Sequence, residues 1–221
     1  MPIVLPWFGA GLTGDRKPAH GFARLSSWEL VDEHAEGGRD AEAAYTLSSE
    51  QPRLRAGYRV SLGTDLRLRL SVENTGEESL TFEEALHTYL AVGDAARVHL
   101  TGLGGAEYLD QAAPGGLARA RQQGDVRITG EVDRVYDSRS AVTIVDPTLQ
   151  RTIEISKSGS ASTIVWNPWS EKAAALADLG DDEWRSMVCV ESGNVRAAAV
   201  TLDPGERHAL EVRISVRATV C

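Results

Sequence analysis

Two polar side chains stand inside apolar, strand-like stretches that lie far apart in the chain. His87 falls within FEEALHTYL (82–90), and Glu191 falls within MVCVES (187–192). A histidine can donate a proton near neutral pH, and a carboxylate can accept one. If the fold brings them to one cleft, His87 and Glu191 would form a general acid–base pair that requires neither a metal nor a nucleophile.

Each of these two residues also has a purely structural interpretation. His87 would then be a core histidine with satisfied hydrogen bonds, and Glu191 would be a carboxylate facing solvent at a strand edge. Burial beside Val190 and Cys189 would instead raise the pKa of Glu191, because desolvation disfavours the ionised form. Such a shift suits a base that must repeatedly regain a proton.

The composition is that of an acidic globular chain. Its 221 residues include 32 acidic and 23 basic side chains, for a net charge of −9, and 42% of them are hydrophobic. The acidic balance argues against non-specific nucleic-acid binding, which requires a basic surface. No apolar run is long enough for a membrane span, and the apolar start lacks the basic region of a signal peptide. Two cysteines do not make a disulfide framework, so we expect a cytoplasmic protein without membrane contact.

Alternating apolar and polar residues predict that strands position these groups. Leu68 and Leu70 alternate with Arg67 and Arg69, and the same period of two recurs at 208–220. Further strands are predicted at 42–49, 54–63, 97–101, 125–129, 132–136, 140–145, 151–157, 163–166 and 195–202. The turn at 204–205 is predicted to join the last two strands as a hairpin, and only 171–187 looks partly helical. Such regular spacing predicts one all-β domain over 1–221, a large antiparallel β-sandwich or barrel.

Aromatic side chains are concentrated near the same stretches of sequence. They are Trp7, Phe8, Trp166, Trp169 and Trp184. Sugars stack on such rings, although tryptophans also fill cores. The WNPW stretch (166–169) is predicted to be a turn that shapes a pocket.

Eight segments, in order along the whole chain, resemble the hexose-6-phosphate mutarotases (glucose-6-phosphate 1-epimerases) of the aldose 1-epimerase superfamily. They are PIVLPWFG (2–9), HGFAR (20–24), FEEALHTYL (82–90), GLGGAEYLD (102–110), VDRVY (132–136), VWNPWSEKA (165–173), DDEWRSMVCVESGNV (181–195) and LDPGERHAL (202–210). The fold of that family is a large antiparallel β-sandwich, the galactose-mutarotase-like supersandwich. This agrees with the alternation of residues, which was established independently.

The resemblance implies an isomerase that interconverts the α and β anomers of a hexose 6-phosphate by opening and closing the ring. It implies that His87 is the general acid and Glu191 the general base. We expect their tips to lie about the width of a pyranose apart, with Glu191 ionised and His87 protonated at the start. The only partner expected is the small hexose phosphate, bound by a monomer that uses no cofactor and no metal.

The resemblance also assigns substrate contacts to two further residues. Arg24, at the end of HGFAR, would bind the sugar phosphate, because a guanidinium donates bidentate hydrogen bonds. Asp133 would hold a sugar hydroxyl. The alternatives are that Arg24 is a surface arginine and that Asp133 forms a strand-edge ion pair with Arg134.

Two departures from the family pattern bear on substrate binding. The family has a further N-terminal β-segment with an arginine before the proline-rich motif, whereas this sequence starts at Met1-Pro2, so we expect N-terminal truncation relative to the family. A glutamine often precedes the histidine of HGFAR, and here that place is Ala19. The alternatives are therefore a non-catalytic carbohydrate-binding β-sandwich derived from that family, or a reading frame that starts upstream. Missing strands would leave one sheet edge uncovered, which favours association.

Overall fold

Two antiparallel β-sheets packed face to face make up most of the protein. The computed structural model describes residues 2–36, 40–177 and 179–219. The described strands are β1 (Ile3–Val4), β2 (Glu29–Glu36), β3 (Asp40–Glu50), β4 (Arg53–Leu62), β5 (Leu66–Asn74), β6 (Leu80–Phe82), β7 (Glu84–Leu86), β8 (Tyr89–Ala91), β9 (His99–Thr101), β10 (Glu107–Asp110), β11 (Ala118–Arg121), β12 (Val126–Arg127), β13 (Val132–Asp137), β14 (Val142–Asp146), β15 (Arg151–Ser158), β16 (Ser162–Asn167), β17 (Met187–Asn194), β18 (Val200–Leu202) and β19 (Arg207–Ala218). The described helical segments are α1 (Trp169–Ala175) and 3₁₀ turns at Ala23–Leu25, Glu183–Ser186 and Arg196–Ala198.

The strands divide into two large sheets and one small ladder. The nine-stranded sheet has the order β12-β9-β14-β15-β19-β5-β4-β3-β2. The eight-stranded sheet has the order β1-β7-β17-β16-β13-β10-β11, with β8 also pairing with β17, and β6 pairs with β18. This architecture confirms the predicted antiparallel β-sandwich.

Alternation along the strands builds the core between the two sheets. In β5, Leu68 and Leu70 are buried while Arg67 and Arg69 are exposed, and the cross-strand partner of Leu70 is the fully buried Leu210. Burying each leucine contributes about 1.5–3 kcal/mol. A slip of one residue would turn the arginines inward, so the hydrophobic pattern fixes the register.

Two predictions near the C-terminal end are wrong. Residues 195–202 do not form one strand, because Arg196 takes a left-handed φ of 58° in the 3₁₀ turn and its N–H donates to the Glu83 carboxylate. The turn at 204–205 does not close a hairpin, because β18 pairs with β6 whereas β19 pairs with β5 and β15. The helix predicted within 171–187 is confined to α1 and the turn at Glu183–Ser186.

Strand β2 was not predicted, and it forms one edge of the nine-stranded sheet. It pairs with β3, and in the described part of the chain no strand pairs with its other side. Its residues 29–35 are exposed on both faces, which explains why the sequence there shows no clear alternation. In the described part of the chain, β2 is therefore an uncovered edge of the nine-stranded sheet.

The described residues include no helix that is both long enough and apolar enough to cross a membrane.

Candidate active site

The central strands of the eight-stranded sheet carry the candidate catalytic carboxylate. Val188 and Val190 of β17 point into the core, so the period of two turns Glu191 to the outer face of the sheet. On the neighbouring β16, Ile164 is the cross-strand partner of Glu191, and Trp166 lies on the same face. This face forms part of the wall of a cleft of about 690 Å³. Although it lines the cleft, Glu191 is only 1% exposed.

His87 is held over this carboxylate by two short strands. It lies in the break between β7 and β8, both of which pair with β17. The imidazole stacks on Tyr89 with ring centroids 4.8 Å apart, and it meets Trp166 edge-on. The Nε2 atom of His87 lies 3.4 Å from Oε1 of Glu191. Two buried atoms of the pair, His87 Nδ1 and Glu191 Oε2, have no hydrogen-bond partner among the described residues.

Burial shifts both pKa values toward the neutral forms. Desolvation lowers the pKa of His87 to about 4, and positive charge on His20 acts in the same direction. Desolvation raises the pKa of Glu191 well above its usual value, and the negative charge of Asp133 adds to this. Both shifts therefore favour the neutral pair, with an uncharged His87 and a protonated Glu191 carboxyl, over the ion pair.

Two expectations about the pair are corrected by this geometry. The tips of His87 and Glu191 are in contact rather than a ring width apart. A ring-width gap is not required, because the ring oxygen and the hydroxyl oxygen of a sugar are both bonded to C1. The expected starting state, with His87 charged and Glu191 ionised, contains the same single proton but is opposed by both pKa shifts in the unliganded protein.

Two cations from different elements border the cleft. Arg24, in the turn at Ala23–Leu25, donates from Nε and Nη2 to the carbonyl of Ala19 at 3.3 and 3.0 Å. Lys172 of α1 donates to the carboxylate of Glu131. The charge of Arg24 contributes to lowering the pKa of His87, which places the guanidinium near the pair. Lys172 was not among the predicted site residues.

Asn167 fixes the turn that brings Lys172 to the cleft. Its Nδ2 donates to the carbonyls of Trp184 and Met187 at 2.8 and 2.9 Å, and its Oδ1 accepts from the N–H of Trp169 at 2.9 Å. The amide thus anchors the start of α1 to the segment that leads into β17. The turn predicted at 166–169 is reduced to Pro168, because β16 extends to Asn167 and α1 begins at Trp169. Trp166, at the end of β16, lines the cleft.

Asp133 also lies on the cleft face, on β13. Its Oδ1 accepts a hydrogen bond from Gln111 Nε2 at 2.7 Å. Arg134 points the other way and pairs with Asp110 at 3.4 Å, so the alternative of an Asp133–Arg134 ion pair is wrong. Asp133 and Arg134 are separated because adjacent residues of a strand face opposite sides of the sheet.

His20 also lines the cleft and was not among the predicted site residues. Its Nδ1 accepts from the N–H of Gly9 at 3.3 Å, and its ring lies edge-on to Phe8 and to His87. Desolvation, with the charges of Arg24 and Arg196, lowers the pKa of His20. A neutral His20 that accepts at Nδ1 carries its proton on Nε2 and can donate. Its position within the HGFAR segment was the available signal.

The structure thus brings the four predicted site residues, Arg24, His87, Asp133 and Glu191, to one cleft. The role of each residue stays a prediction. No group of three or more His, Cys, Asp or Glu side chains among the described residues is arranged to hold a metal ion.

Comparison with known proteins places the chain in a family. A family model described as aldose 1-epimerase matches residues 1–215. The chain belongs to the aldose 1-epimerase family. A relative from Cenchrus ciliaris, provisionally named a glucose-6-phosphate 1-epimerase, is 32% identical over 232 residues, which cover 97% of this chain and 69% of the relative. One of the same provisional name from Escherichia coli K12 is 29% identical, with 98% and 74% covered.

Solved structures of the aldose 1-epimerase type share the fold. A provisionally named mutarotase from Salmonella typhimurium superposes with a TM-score of 0.85 at 27% identity, over 98% of this chain and 73% of that one. Membership of the aldose 1-epimerase family supports an epimerase, or mutarotase, activity for this chain. The cleft with the His87–Glu191 pair is therefore its candidate active site.

Proposed function

We propose that the protein interconverts the α and β anomers of a hexose 6-phosphate, with His87 and Glu191 as the acid–base pair. The observation that carries this proposal is the contact between His87 and Glu191 in a cleft that Arg24 also lines. The provisional names of the relatives agree with a phosphorylated hexose as substrate. The phosphate would bind to Arg24, which lines the same cleft as the pair, with Lys172 as a second cation.

Ring opening needs one proton to leave the C1 hydroxyl and one to reach the ring oxygen. With the single proton on His87, His87 protonates the ring oxygen as Glu191 accepts the hydroxyl proton. The C1–O5 bond breaks, the aldehyde forms, and the pair still holds one proton in total. Rotation about C1–C2 and reversal of the two transfers close the ring as the other anomer. Each transfer contributes roughly 10²–10⁴ in rate.

The unliganded pair favours the neutral form, so substrate binding must offset the cost of forming the ion pair. A bound phosphate, the ring hydroxyls and the positioned His20 replace part of the solvation that burial removes. The hydroxyl of C1 would donate to Glu191, which stabilises the carboxylate. Desolvation alone disfavours the charged pair, and these contacts act against it.

The experiment is exchange spectroscopy by NMR on an equilibrated mixture of glucose 6-phosphate anomers. The purified protein should increase the exchange rate between the two C1–H signals above that in buffer. Glucose under the same conditions reports the contribution of the phosphate. Exchange no faster than buffer for every sugar phosphate tested contradicts the proposal.

A non-catalytic sugar-binding role is the second candidate. This role predicts chemical-shift changes in the protein on adding glucose 6-phosphate, with no increase in anomer exchange. The two candidates therefore separate in one set of spectra.

A further inference from the structure

Gln111 joins two charged groups at the edge of the cleft. Its Nε2 donates to Oδ1 of Asp133 at 2.7 Å, and its Oε1 accepts from Nη2 of Arg196 at 2.8 Å. Its backbone N–H donates to the carbonyl of Asp133, also at 2.7 Å. Because a guanidinium only donates and an ionised carboxylate only accepts, these contacts fix the direction in which the amide faces.

Arg196 is itself held from two directions. Its N–H donates to Oε1 of Glu83 at 2.7 Å, and its guanidinium lies 5.7 Å from the centre of the Phe8 ring. Glu83 is buried and also accepts from the N–H of Phe8 at 3.1 Å. The left-handed φ of 58° at Arg196 costs about 1–3 kcal/mol, and such strain persists only where surrounding contacts hold the residue. Buried Glu83 therefore anchors Arg196, and Arg196 orients Gln111.

The contact with Gln111 determines which oxygen of Asp133 is available to a ligand. Gln111 occupies one carboxylate oxygen, which leaves Oδ2 as the acceptor on a half-buried side chain that lines the cleft. Burial raises the pKa of Asp133, while the hydrogen bond from Gln111 and the charge of Lys172 lower it. Gln111 thus favours the ionised form, which can only accept a hydrogen bond.

We propose that Gln111, oriented by Arg196, is a positioning residue that presents one oxygen of Asp133 as a fixed acceptor for a single ring hydroxyl of the sugar. This rests on the proposed function, since it takes Asp133 to contact the substrate. The arrangement determines specificity, because a sugar that lacks this hydroxyl leaves a partly buried carboxylate without its donor. Losing a hydrogen bond to a charged group costs about ten- to hundredfold in KM.

Gln111→Glu tests the arrangement with almost no change in shape. The introduced carboxylate still accepts from Arg196 but faces Asp133 with an oxygen instead of an N–H. Two carboxylates in contact share a proton, so the pKa of Asp133 should rise. Gln123→Glu is the matched control. It introduces the same negative charge at a side chain that is exposed.

Two readouts are measured on both variants and on wild type. The first is the titration of the Asp133 carboxyl by ¹³C NMR without substrate, assigned from the spectrum of Asp133→Asn. The second is KM for glucose 6-phosphate as a function of pH. We expect Gln111→Glu to raise the pKa of Asp133 and to raise KM about tenfold near neutral pH. The KM defect should shrink as pH falls, because the shared proton restores a donor toward Asp133.

If Gln111 had only a structural role, Gln111→Glu would lower stability, and its KM defect would not shrink as pH falls. Singly deoxygenated analogues of glucose 6-phosphate add a second criterion. One analogue should have the same KM with Asp133→Asn as with wild type, because it lacks the hydroxyl that Asp133 contacts. The KM of Gln111→Glu should equal that of wild type for the same analogue. A mismatch, or a KM for Gln111→Glu equal to that of Gln123→Glu, overturns the proposal. If wild type fails to exchange anomers, the proposed function is contradicted. If Gln111→Glu leaves the titration of Asp133 unchanged, the positioning role of Gln111 is contradicted independently of the proposed function.

Discussion

At the residue scale, the contact between His87 and Glu191 couples the two groups into a single acid–base unit. The break between β7 and β8 supplies His87, and β17 supplies Glu191. Desolvation shifts the pKa of both groups toward the neutral form. Residues that share a proton are expected to lose function together. The predictions for the site follow from this coupling.

Removing either member should abolish most of the catalysed exchange. We expect His87→Ala and Glu191→Gln each to slow anomer exchange by about 10²–10⁴. The double variant should be slowed by much less than the product of the two single losses, because groups acting as a unit are non-additive. NMR exchange spectroscopy measures the rates, and His99→Ala, outside the cleft, is the control. A full rate in Glu191→Gln would show that the base has been misassigned.

The pH dependence of kcat/KM should carry the signature of the buried pair. The acid limb, where the pair gains a second proton, should lie near pH 4 rather than near 6.5. The alkaline limb, where the pair loses its shared proton, should lie well above the usual range of a glutamate. Both apparent values belong to the pair rather than to one residue. An acid limb near 6.5 would contradict the burial of His87 in the active form.

Arg24 should discriminate phosphorylated from unphosphorylated sugars. Arg24→Ala removes a guanidinium that borders the cleft, so KM for glucose 6-phosphate should rise about ten- to hundredfold. KM for glucose should change little. The matched control is Arg16→Ala, since Arg16 stacks on Trp7 outside this cleft. Equal losses for both sugars would mean that Arg24 does not contact the phosphate.

At the scale of elements, a buried polar cluster joins the two sheets on the side of β7, β17 and β19. Glu84 of β7 is fully buried, and its Oε1 lies 2.9 Å from Nε2 of His208 in β19. Asn194 of β17 also donates to Glu84 at 2.9 Å. The hydrogen bond and charge of Glu84 raise the pKa of His208 above 6.5.

This raised pKa makes stability depend on pH. The protonated pair contributes fully below the unfolded-state pKa of about 6.5 and is lost as pH rises through the higher folded-state value. His208→Phe should lower the free energy of unfolding by roughly 1.5–3 kcal/mol at pH 6, because it removes a charge-assisted hydrogen bond to buried Glu84. The loss should be smaller at pH 9. Urea unfolding at both pH values measures this loss of stability, with His99→Phe as the control. A loss that does not depend on pH would show that the charge of His208 does not stabilise the fold.

At the scale of the whole molecule, net charge and the uncovered edge act in opposite directions. A net charge of −9 keeps copies apart at low ionic strength. Strand β2 presents unpaired backbone groups together with Leu30 and Val31, which are 46% and 55% exposed. The register shift between Leu30 and Asp32 is a bulge that partly blunts this edge.

Association should therefore increase with salt. Screening removes the repulsion between acidic copies while leaving the backbone groups and apolar side chains of β2 available. Sedimentation velocity should show a monomer at low salt and larger species at high salt and high protein concentration. Val31→Lys should suppress the larger species, whereas Leu149→Lys, at a similarly exposed leucine elsewhere, should not. A monomer under all of these conditions would contradict this role for β2.

Strand content was predictable from the sequence because it is encoded locally. The period of two in 65–74 and 208–214 marks which side of each strand is buried, and that pattern gives a β-sandwich without knowledge of the strand order. It fails beyond Ile214, where the alternation predicts that Val216 points inward but the side chain is 55% exposed. The helix predicted within 171–187 was only partly right, and the single strand predicted at 195–202 was wrong. There, side-chain contacts such as that of Glu83 with Arg196 override local propensity.

The sequence by itself determined the fold class and, through eight ordered segments, the family and the residues most worth testing. Only the tertiary structure decided that His87 touches Glu191, that Arg134 turns away from Asp133, and that Gln111 faces Asp133. Those facts depend on strand register and on the burial of each group. Register joins residues far apart in the chain, and burial sets which protonation state is favoured, so neither can be read from a residue and its immediate neighbours.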